Sequence, residues 1–255
     1  MILFGTSGFY YDDWIGPVYP KELPKIQWLP FIAEQVDTIE LNVTYYRVPN
    51  LKTVAGWVER TPDDFLFSVK AHRSLTHERT EPDFEFYKAG LAPLIESGKL
   101  VCVLAQFPYS FHPNPTTREY ILRLREGLAG LPVVVEFRDK DWIREETFDL
   151  LEELDLGFCS VDEPQLRGLM PPVARLTGPL AYVRFHGRNA AKWWNHKQAW
   201  ERYDYTYSED ELRQWVDKLR QLDAQAEKTL VYANNHPHGQ SLAAMRTLRD
   251  LLVGA

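Results

Sequence analysis

Cysteine is nearly absent from this sequence, because only Cys102 and Cys159 occur among its 255 residues. Each lies within an apolar run, where a free thiol behaves as a small hydrophobic side chain. Two isolated cysteines exclude the disulfide framework that stabilises small secreted domains, and they exclude a zinc site built from Cys-x-x-Cys pairs. We therefore predict two free thiols and, as the default, a cytoplasmic protein.

Long apolar runs are also missing, because no segment approaches the roughly 18 apolar residues that a membrane-spanning helix needs. Residues 1–8 contain no basic stretch followed by an apolar run, so we expect neither a signal peptide nor a contact with membranes. The net charge of −7 disfavours indiscriminate binding to nucleic acid or anionic lipid. A local, positively charged cleft is compatible with this negative net charge.

What the sequence does contain is a regular alternation of β-rich runs and stretches with helical periodicity. The predicted strands are Ile2–Ser7, Thr38–Asn42, Phe65–Ala71, Leu100–Phe107, Val133–Arg138, Leu156–Val161, Leu180–His186 and Thr229–Asn234. The predicted helices cover residues 27–37, 51–60, 84–97, 117–128, 145–154, 209–226 and 240–252. Ser208, with Glu211 three residues later, forms a capping box at the start of the sixth of these helices.

Strand–helix alternation at this spacing indicates βαβ units and a parallel sheet. Eight such strands favour a closed (β/α)8 TIM-type barrel over an open doubly wound sheet, and 255 residues suit one domain spanning the chain. We therefore predict a single α/β domain over residues 1–255. The crossover after the sixth strand, residues 163–179, is rich in proline and lacks a helical period, so we expect an irregular loop there.

Polar residues accumulate on one parity of the predicted strands as each strand approaches its carboxyl end. Side chains alternate between the two faces of a strand, so one parity of every barrel strand points inward. The polar parity comprises Glu40 and Asn42; Ser68, Lys70 and His72; Gln106; Glu136 and Arg138; Ser160 and Asp162; Tyr182, Arg184, His186 and Arg188; and Tyr232 and Asn234. Catalytic groups of barrel enzymes lie at these strand ends, so we predict a functional site. An internal ion-pair network that plugs the barrel is the alternative.

The predicted site is neutral to positive inside an acidic protein. Its negative charges are Glu40, Glu136 and Asp162, and its positive charges are Lys70, Arg138, Arg184 and Arg188. The guanidinium fork of arginine binds oxyanions in pairs, so this contrast indicates an anionic ligand such as a phosphate, a carboxylate or a nucleic-acid backbone.

A series of short motifs in order along the chain resembles the YecE-like family, also known as domain of unknown function 72. The motifs are Gly5-Thr6-Ser7-Gly8, Trp14-Ile15-Gly16, Glu40-Leu41-Asn42-Val43-Thr44-Tyr45-Tyr46, Phe67-Ser68-Val69-Lys70 with Thr76-His77, Gln106-Phe107-Pro108, Val135-Glu136-Phe137-Arg138 with Trp142, Tyr182-Val183-Arg184-Phe185-His186-Gly187-Arg188 and Asn234-Asn235. The resemblance implies a TIM-type barrel and carries no particular activity. Two positions depart from the family pattern: Asp139 replaces a frequent histidine, and Asp141 replaces the usual serine before Trp142.

Three kinds of chemistry are open to the predicted site. Glu40, Glu136, Asp162 and His186 carry atoms that metals bind, but the interleaved cations repel a metal, so we predict no metal or other cofactor and keep a metal site as the alternative. Glu136, Glu40 and His186 are candidates for acid–base catalysis. Lys70 is a candidate for contact with phosphate, for pairing with a glutamate, or for a Schiff base.

Aromatic side chains also crowd the predicted strand ends, and flat faces beside cations suit stacking on bases or sugars. Substrate contacts are predicted for Arg138, Arg184, Arg188, Asn42, Gln106, Asp162, Asn234, Tyr11, Trp14 and Tyr45. Catalytic roles are predicted for Glu136, His186, Glu40 and Lys70. The leading hypothesis is an enzyme (hydrolase, lyase or isomerase) that acts on an anionic, phosphate-bearing substrate. Nucleotides and nucleic acids belong to this substrate class. A non-catalytic nucleic-acid or ligand-binding barrel and a sugar-active barrel enzyme are the rivals.

Overall fold

A computed structural model describes residues 1–254 and shows a closed barrel of parallel strands in the order β1 to β8. The strands are β1 (Ile2–Ser7), β2 (Thr38–Leu41), β3 (Leu66–Lys70), β4 (Leu100–Gln106), β5 (Val133–Glu136), β6 (Leu156–Asp162), β7 (Leu180–Phe185) and β8 (Lys228–Ala233). The (β/α)8 TIM-type barrel predicted from the sequence is therefore confirmed. Ala255, the last residue of the predicted domain, lies outside the described residues.

Several strands end one or two residues earlier than the sequence pattern predicted. β5 ends at Glu136 instead of Arg138, and β7 ends at Phe185 instead of His186. Past β7 the chain turns at Gly187, whose φ of +85° is left-handed and favours glycine. The period-2 alternation of side chains therefore stops before Arg188.

Helices follow the strands along the chain, and the longer ones cover the outside of the barrel. The helices are α1 (Trp28–Ala33), α2 (Val43–Tyr46), α3 (Leu51–Glu59), α4 (Phe84–Gly90), α5 (Ala92–Glu96), α6 (Pro115–Gly127), α7 (Glu145–Glu153), α8 (Ala190–Trp193), α9 (Glu209–Arg213), α10 (Val216–Asp223) and α11 (Gln240–Val253). The predicted helix 84–97 is divided at Leu91, because Pro93 in the first turn of α5 has no N–H for an uninterrupted helix. The short helices α2 and α8 follow strand ends and were not predicted. No helix within residues 1–254 is long and apolar enough to cross a membrane.

The crossover between β6 and β7 contains no α-helix among residues 163–179, as predicted from its prolines. It nevertheless packs tightly, because Leu169 and Met170 are buried in it. The side chain of Thr177 donates to the carbonyl of Leu156 at 2.6 Å and fixes the loop to the start of β6. Glu163, the first residue of this loop, also places its carboxylate inside the barrel beside Arg138.

The lower part of the barrel is filled by aromatic side chains. Tyr182 and Tyr232 point inward with ring centroids 5.0 Å apart, and their hydroxyls bond to Ser68 and Thr38, respectively. Gly5 makes room for this layer, since an added Cβ would lie 2.3 Å from the carbonyl oxygen of Thr38. The filled interior leaves the carboxyl end of the strands as the open end.

Candidate functional site

A buried arginine forms the centre of the polar layer above the tyrosines. The Arg184 guanidinium bonds to Glu40 through Nη2 and to Glu136 through Nη1, each at 2.6 Å. All three side chains are at most 1% exposed. Glu40 also accepts a hydrogen bond of 2.7 Å from the hydroxyl of Tyr182. Three different strands thus meet at one guanidinium, as the inward parity of β2, β5 and β7 predicted.

Arg138 lies beside this centre and is held by two carboxylates. Its Nε is 2.6 Å from Glu136 Oε1, and its Nη1 donates to Glu163 Oε2 at 3.1 Å. Glu163 accepts a second bond, of 2.9 Å, from the backbone N–H of Met170. Burial opposes ionisation of Glu136, but the adjacent Arg138 and Arg184 outweigh it and hold its pKa well below the usual carboxyl range. Burial dominates at Glu163 and raises its pKa to about 7.

His186 is fully buried between Glu136 of β5 and Asn234, which follows β8, and its hydrogen bonds to them fix its tautomer. The Asn234 amide nitrogen, which can only donate, lies 3.1 Å from Nδ1, so the proton of the neutral ring resides on Nε2. Nε2 in turn lies 3.1 Å from Glu136 Oε1. Burial and the nearby Arg138 lower the pKa of His186 to about 3. His186 is therefore a neutral donor to Glu136 at physiological pH.

Asp162 and Arg188 do not join this cluster, which corrects the inward orientation predicted for both. In the ladder between β6 and β7, Asp162 pairs with the outward-facing Phe185, so Asp162 points to the helical layer. Its carboxylate accepts from the Trp215 indole at 2.7 Å and from two nitrogens of Arg188, at 2.9 and 2.6 Å. Ser160 faces the same way, and Cys159 and Val161 take the inward positions of β6.

A cavity of about 970 Å³ opens directly above the buried cluster. Among residues 1–254, its wall contains cationic side chains and no aspartate or glutamate. The cations are Arg47, Lys70, Arg138, Arg184 and Arg202. The aromatic residues of the wall are Phe9, Tyr10, Tyr11, Tyr45, Tyr46, Trp57, Tyr109, Trp193, Trp194 and Tyr203. The carboxylates thus lie beneath the arginines, and the positive groups face the cavity.

The predicted site residues divide into those that line the cavity and those that support it. The residues in the wall are Lys70, Arg138, Arg184, Asn42, Gln106, Asn234, Tyr11 and Tyr45. Glu40, Glu136 and His186 lie below the wall. Trp14 is completely buried and donates to the carbonyl of His236 at 2.7 Å, so it positions a neighbouring residue instead of facing a ligand.

Lys70 differs from the other inward cations because it has no carboxylate partner among the described residues. Its Nζ lies 4.7 Å from the centre of the Tyr45 ring, in a cation–π contact. Removal from water and the positive charge of Arg184 lower the pKa of Lys70 to about 7, while Glu136 and Glu40 act in the opposite direction. A substantial part of Lys70 is therefore the neutral amine near neutral pH.

Several residues of the wall were not predicted to contact a ligand. Tyr203 and Arg202 come from the long connection after β7, and no strand periodicity marks them. His77 follows β3 and His236 follows β8; burial lowers the pKa of each to about 4, so both rings are neutral. The His236 ring stacks on Tyr11 with centroids 4.4 Å apart, and its buried Nδ1 lacks a partner. A signal for His77 was present, since it lies within one of the family motifs.

The side chains considered as metal ligands from the sequence do not come together as one set of four. Across residues 1–254, no group of three or more His, Cys, Asp or Glu side chains is placed to hold a metal ion. Asp162 faces away from Glu40 and Glu136, and both glutamates already bind Arg184.

Comparison with known proteins identifies the family. The family described as "Protein of unknown function DUF72" matches residues 3–255. The chain belongs to the DUF72 family. Among relatives, the UPF0759 protein YunF of Bacillus subtilis (strain 168) is 29% identical over 270 aligned positions, covering 99% of this chain and 95% of that protein.

Solved structures of DUF72 proteins share the whole fold. A DUF72 family protein from Thermotoga maritima MSB8 is 38% identical, superposes with a TM-score of 0.92 and is matched over 99% of both chains. A second, from Enterococcus faecalis V583, is 26% identical with a TM-score of 0.89, over 99% of this chain and 96% of that one. The resemblance inferred from the motifs is thereby confirmed.

Proposed function

We propose that this DUF72 protein binds, and chemically processes, a small anionic substrate that carries a phosphate group and a flat or ring-shaped part. The observation that carries the proposal is the composition of the cavity wall. Five cations and no acid of residues 1–254 face the cavity in a protein whose net charge is −7. Carboxylates beneath the wall offset the charges of Arg138 and Arg184, but Lys70 has no carboxylate partner among the described residues. A desolvated cation of this kind is costly unless a negative ligand offsets it.

The buried carboxylates support this arrangement because they keep the arginines ionised and fixed. Glu40 and Glu136 occupy the two terminal nitrogens of Arg184, and Glu136 and Glu163 hold Arg138. Donors fixed in advance bind an oxyanion without the entropy cost of ordering a long side chain. In this role Glu40, Glu136 and His186 are positioning residues, and the groups that touch the substrate are Arg138, Arg184 and Lys70.

The cavity also favours a small molecule over a polymer. A volume of about 970 Å³ is at the upper end of the roughly 300–1,000 Å³ typical of small-molecule sites. Its aromatic wall supplies exposed flat surfaces, such as those of Tyr10 and Trp194, for stacking on a ring. Asn42 contributes a buried Oδ1 that has no hydrogen-bond partner and can accept from a substrate hydroxyl. A phosphorylated ring compound, such as a nucleotide, matches the cavity volume, the aromatic wall and the hydrogen-bond acceptor of Asn42.

The sugar-active alternative has weaker support. Aromatic walls suit sugars, but most glycosidases use two carboxyl groups that flank the scissile bond. Here no carboxylate of the described part of the chain faces the cavity, and Glu40 and Glu136 share one arginine beneath it. The nucleic-acid version would extend a strand over the rim, where Tyr46 and Trp194 are 70% and 54% exposed.

Calorimetric titration with phenyl phosphate, phenol and inorganic phosphate tests the proposal. Phenyl phosphate carries both the anion and the ring, so we expect it to bind more tightly than either of the other two probes. Absence of binding to phenyl phosphate at up to about 10 mM, in low salt, would refute an anion-binding cavity. Tight binding of single-stranded DNA, with log Kd rising linearly with log salt, would favour the nucleic-acid alternative instead.

Matched variants locate the binding to the cavity. Lys70→Gln keeps the length of the side chain and removes its charge, and a hydrogen bond to a charged group is worth about 1.5–3 kcal/mol, or roughly 10- to 150-fold in Kd. Lys228→Gln changes a lysine at the amino end of β8, at the opposite end of the barrel, and should leave Kd unchanged. Equal effects of the two substitutions would place the anion outside the cavity.

A further inference from the structure

We propose that Lys70 is a catalytic residue whose amine forms a Schiff base with the carbonyl group of an anionic carbonyl compound. The inference rests on the proposed function, because the same cavity must first bind the anion. It adds a covalent step and a substrate class: a phosphorylated aldehyde or ketone that carries, or is attached to, a ring.

The first support is the environment of the Lys70 amine. Other lysines of the chain whose amines are fixed each have an oxygen partner: Lys25 with Asp12, Lys88 with Glu85, Lys192 with Glu201, Lys99 with the carbonyls of Val58 and Thr61, and Lys218 with the carbonyl of Pro172. Lys70 lies on the cavity floor at the end of β3 and contacts the face of Tyr45 instead. The amine is therefore held in place but is not engaged by an acceptor.

The second support is the cations around Lys70. Arg184 and Arg138 remain charged because carboxylates bind them from below, and guanidinium groups do not lose their protons in proteins. Of Lys70, Arg138 and Arg184, only Lys70 can therefore release a proton. Removal from water and the charge of Arg184 lower its pKa. A lysine desolvated beside other cations is a known form of activated nucleophile. Tyr11, by comparison, donates its hydroxyl to the carbonyl of Ser7, and burial raises its pKa, so it is not an alternative nucleophile.

The step balances with groups already in the cavity. The neutral amine of Lys70 attacks the carbonyl carbon, a C–N bond forms, and one amine proton passes to the carbonyl oxygen, which becomes a hydroxyl. The second amine proton then passes to this hydroxyl, which leaves as water as the C–O bond breaks and the C=N bond forms, so that no oxidant or reductant is needed. His77 lines the same cavity, packs against the same Tyr45 ring with centroids 4.9 Å apart and is neutral, so we assign it to relay these protons.

The geometry also separates the roles of the cations. Arg184 belongs to β7, across the barrel from β3, and Arg138 follows β5, two strands away from β3, so an anionic group bound by them would leave the rest of the molecule directed toward Lys70. Imine formation withdraws electrons from the neighbouring carbon atoms. It therefore favours a lyase or an isomerase over a hydrolase among the reaction types open to the site.

Reductive trapping with pyridoxal 5′-phosphate tests the inference on the intact protein. This probe is an aldehyde with a ring and a phosphate, and borohydride converts its imine into a stable secondary amine that peptide mass mapping locates. We expect one modified site, on the peptide that contains Lys70, with a rate whose midpoint lies near pH 7 instead of near the usual lysine value of about 10.4. Pyridoxal without the phosphate should label Lys70 at least tenfold more slowly.

The outcomes distinguish this inference from the proposed function. If phenyl phosphate binds but pyridoxal 5′-phosphate labels surface lysines as fast as Lys70, Lys70 is only a cationic contact and the Schiff base is refuted. If neither compound binds, the proposed function itself fails. Lys70→Gln should lose the label, whereas Lys228→Gln, at the opposite end of the barrel, should leave labelling of the Lys70 peptide unchanged. Unchanged total labelling of Lys70→Gln would also overturn the inference.

Discussion

Replacing Arg184 with methionine should destabilise the protein severely, because two buried glutamates depend on that guanidinium. Arg184 is 1% exposed and touches Glu40 and Glu136 at 2.6 Å each. In the variant Glu136 keeps Arg138, whereas Glu40 keeps only neutral partners such as the hydroxyl of Tyr182. The substitution therefore leaves one carboxylate in the barrel interior without a cation.

The magnitude follows from the cost of an uncompensated buried charge. Breaking a buried ion pair by removing one partner costs about 3–5 kcal/mol, which is a large share of the roughly 5–15 kcal/mol by which domains are stable. Removing the stranded charge as well should restore most of the loss. We therefore expect the double variant Arg184→Met, Glu40→Gln to recover at least about 2 kcal/mol relative to Arg184→Met.

Equilibrium urea unfolding, followed by tryptophan fluorescence at pH 8 and pH 5, measures the effect. In the wild type the pKa of Glu136 is lowered, so its contribution is present above the ordinary carboxyl range and is lost only in stronger acid. A buried carboxyl group without a cation has a raised pKa, so the stability of the variant falls as the pH rises above about 4–5. The gap between wild type and variant should be wider at pH 8 than at pH 5. A loss below about 1 kcal/mol at pH 8, or no recovery in the double variant, would refute the account of the cluster.

Two further predictions concern other parts of the barrel. The ring of His186 should show no protonation between pH 8 and pH 5 in NMR spectra, because its pKa lies at about 3, and a titration within that range would contradict its assignment as a neutral donor. Gly5→Ala should cost about 1–3 kcal/mol of unfolding free energy, because the new methyl group would meet the Thr38 carbonyl oxygen at 2.3 Å. Gly56→Ala, in the middle of α3, places its methyl group 3.8 Å from the flexible Arg60 side chain, an ordinary contact, and should instead stabilise by about 0.5–1 kcal/mol. Stabilisation by Gly5→Ala, or destabilisation by Gly56→Ala, in thermal unfolding would contradict the packing described.

The fold was largely predictable from the sequence, because the alternation of strands and helices leaves few parallel topologies. The inward positions of Glu40, Lys70, Glu136 and Arg184 were predictable for a related reason. Successive side chains of a regular strand alternate between its two faces. One residue known to face inward therefore assigns the face of every other residue in that strand.

The orientation of Asp162 could not be predicted, because its partners come from distant parts of the chain. A buried carboxylate can face the helical layer when that layer offers donors, and here Trp215 and Arg188 supply them. Arg188 also lies beyond Gly187, where the strand has ended. The contact of Glu163 with Arg138 could not be predicted either, because Glu163 belongs to an irregular loop. Side chains in such a loop do not alternate regularly, so the sequence does not tell which way they point.

A crystal structure of the protein with phenyl phosphate bound tests the central claim most directly. The claim is that buried carboxylates hold Arg138 and Arg184 so that their free faces, together with Lys70, receive an anion. We predict the phosphate group over these three side chains, the ring against the aromatic wall, and the contacts of Arg184 to Glu40 and Glu136 unchanged. A phosphate bound elsewhere with the cavity free of it, or an Arg184 that abandons its glutamates, would contradict the claim.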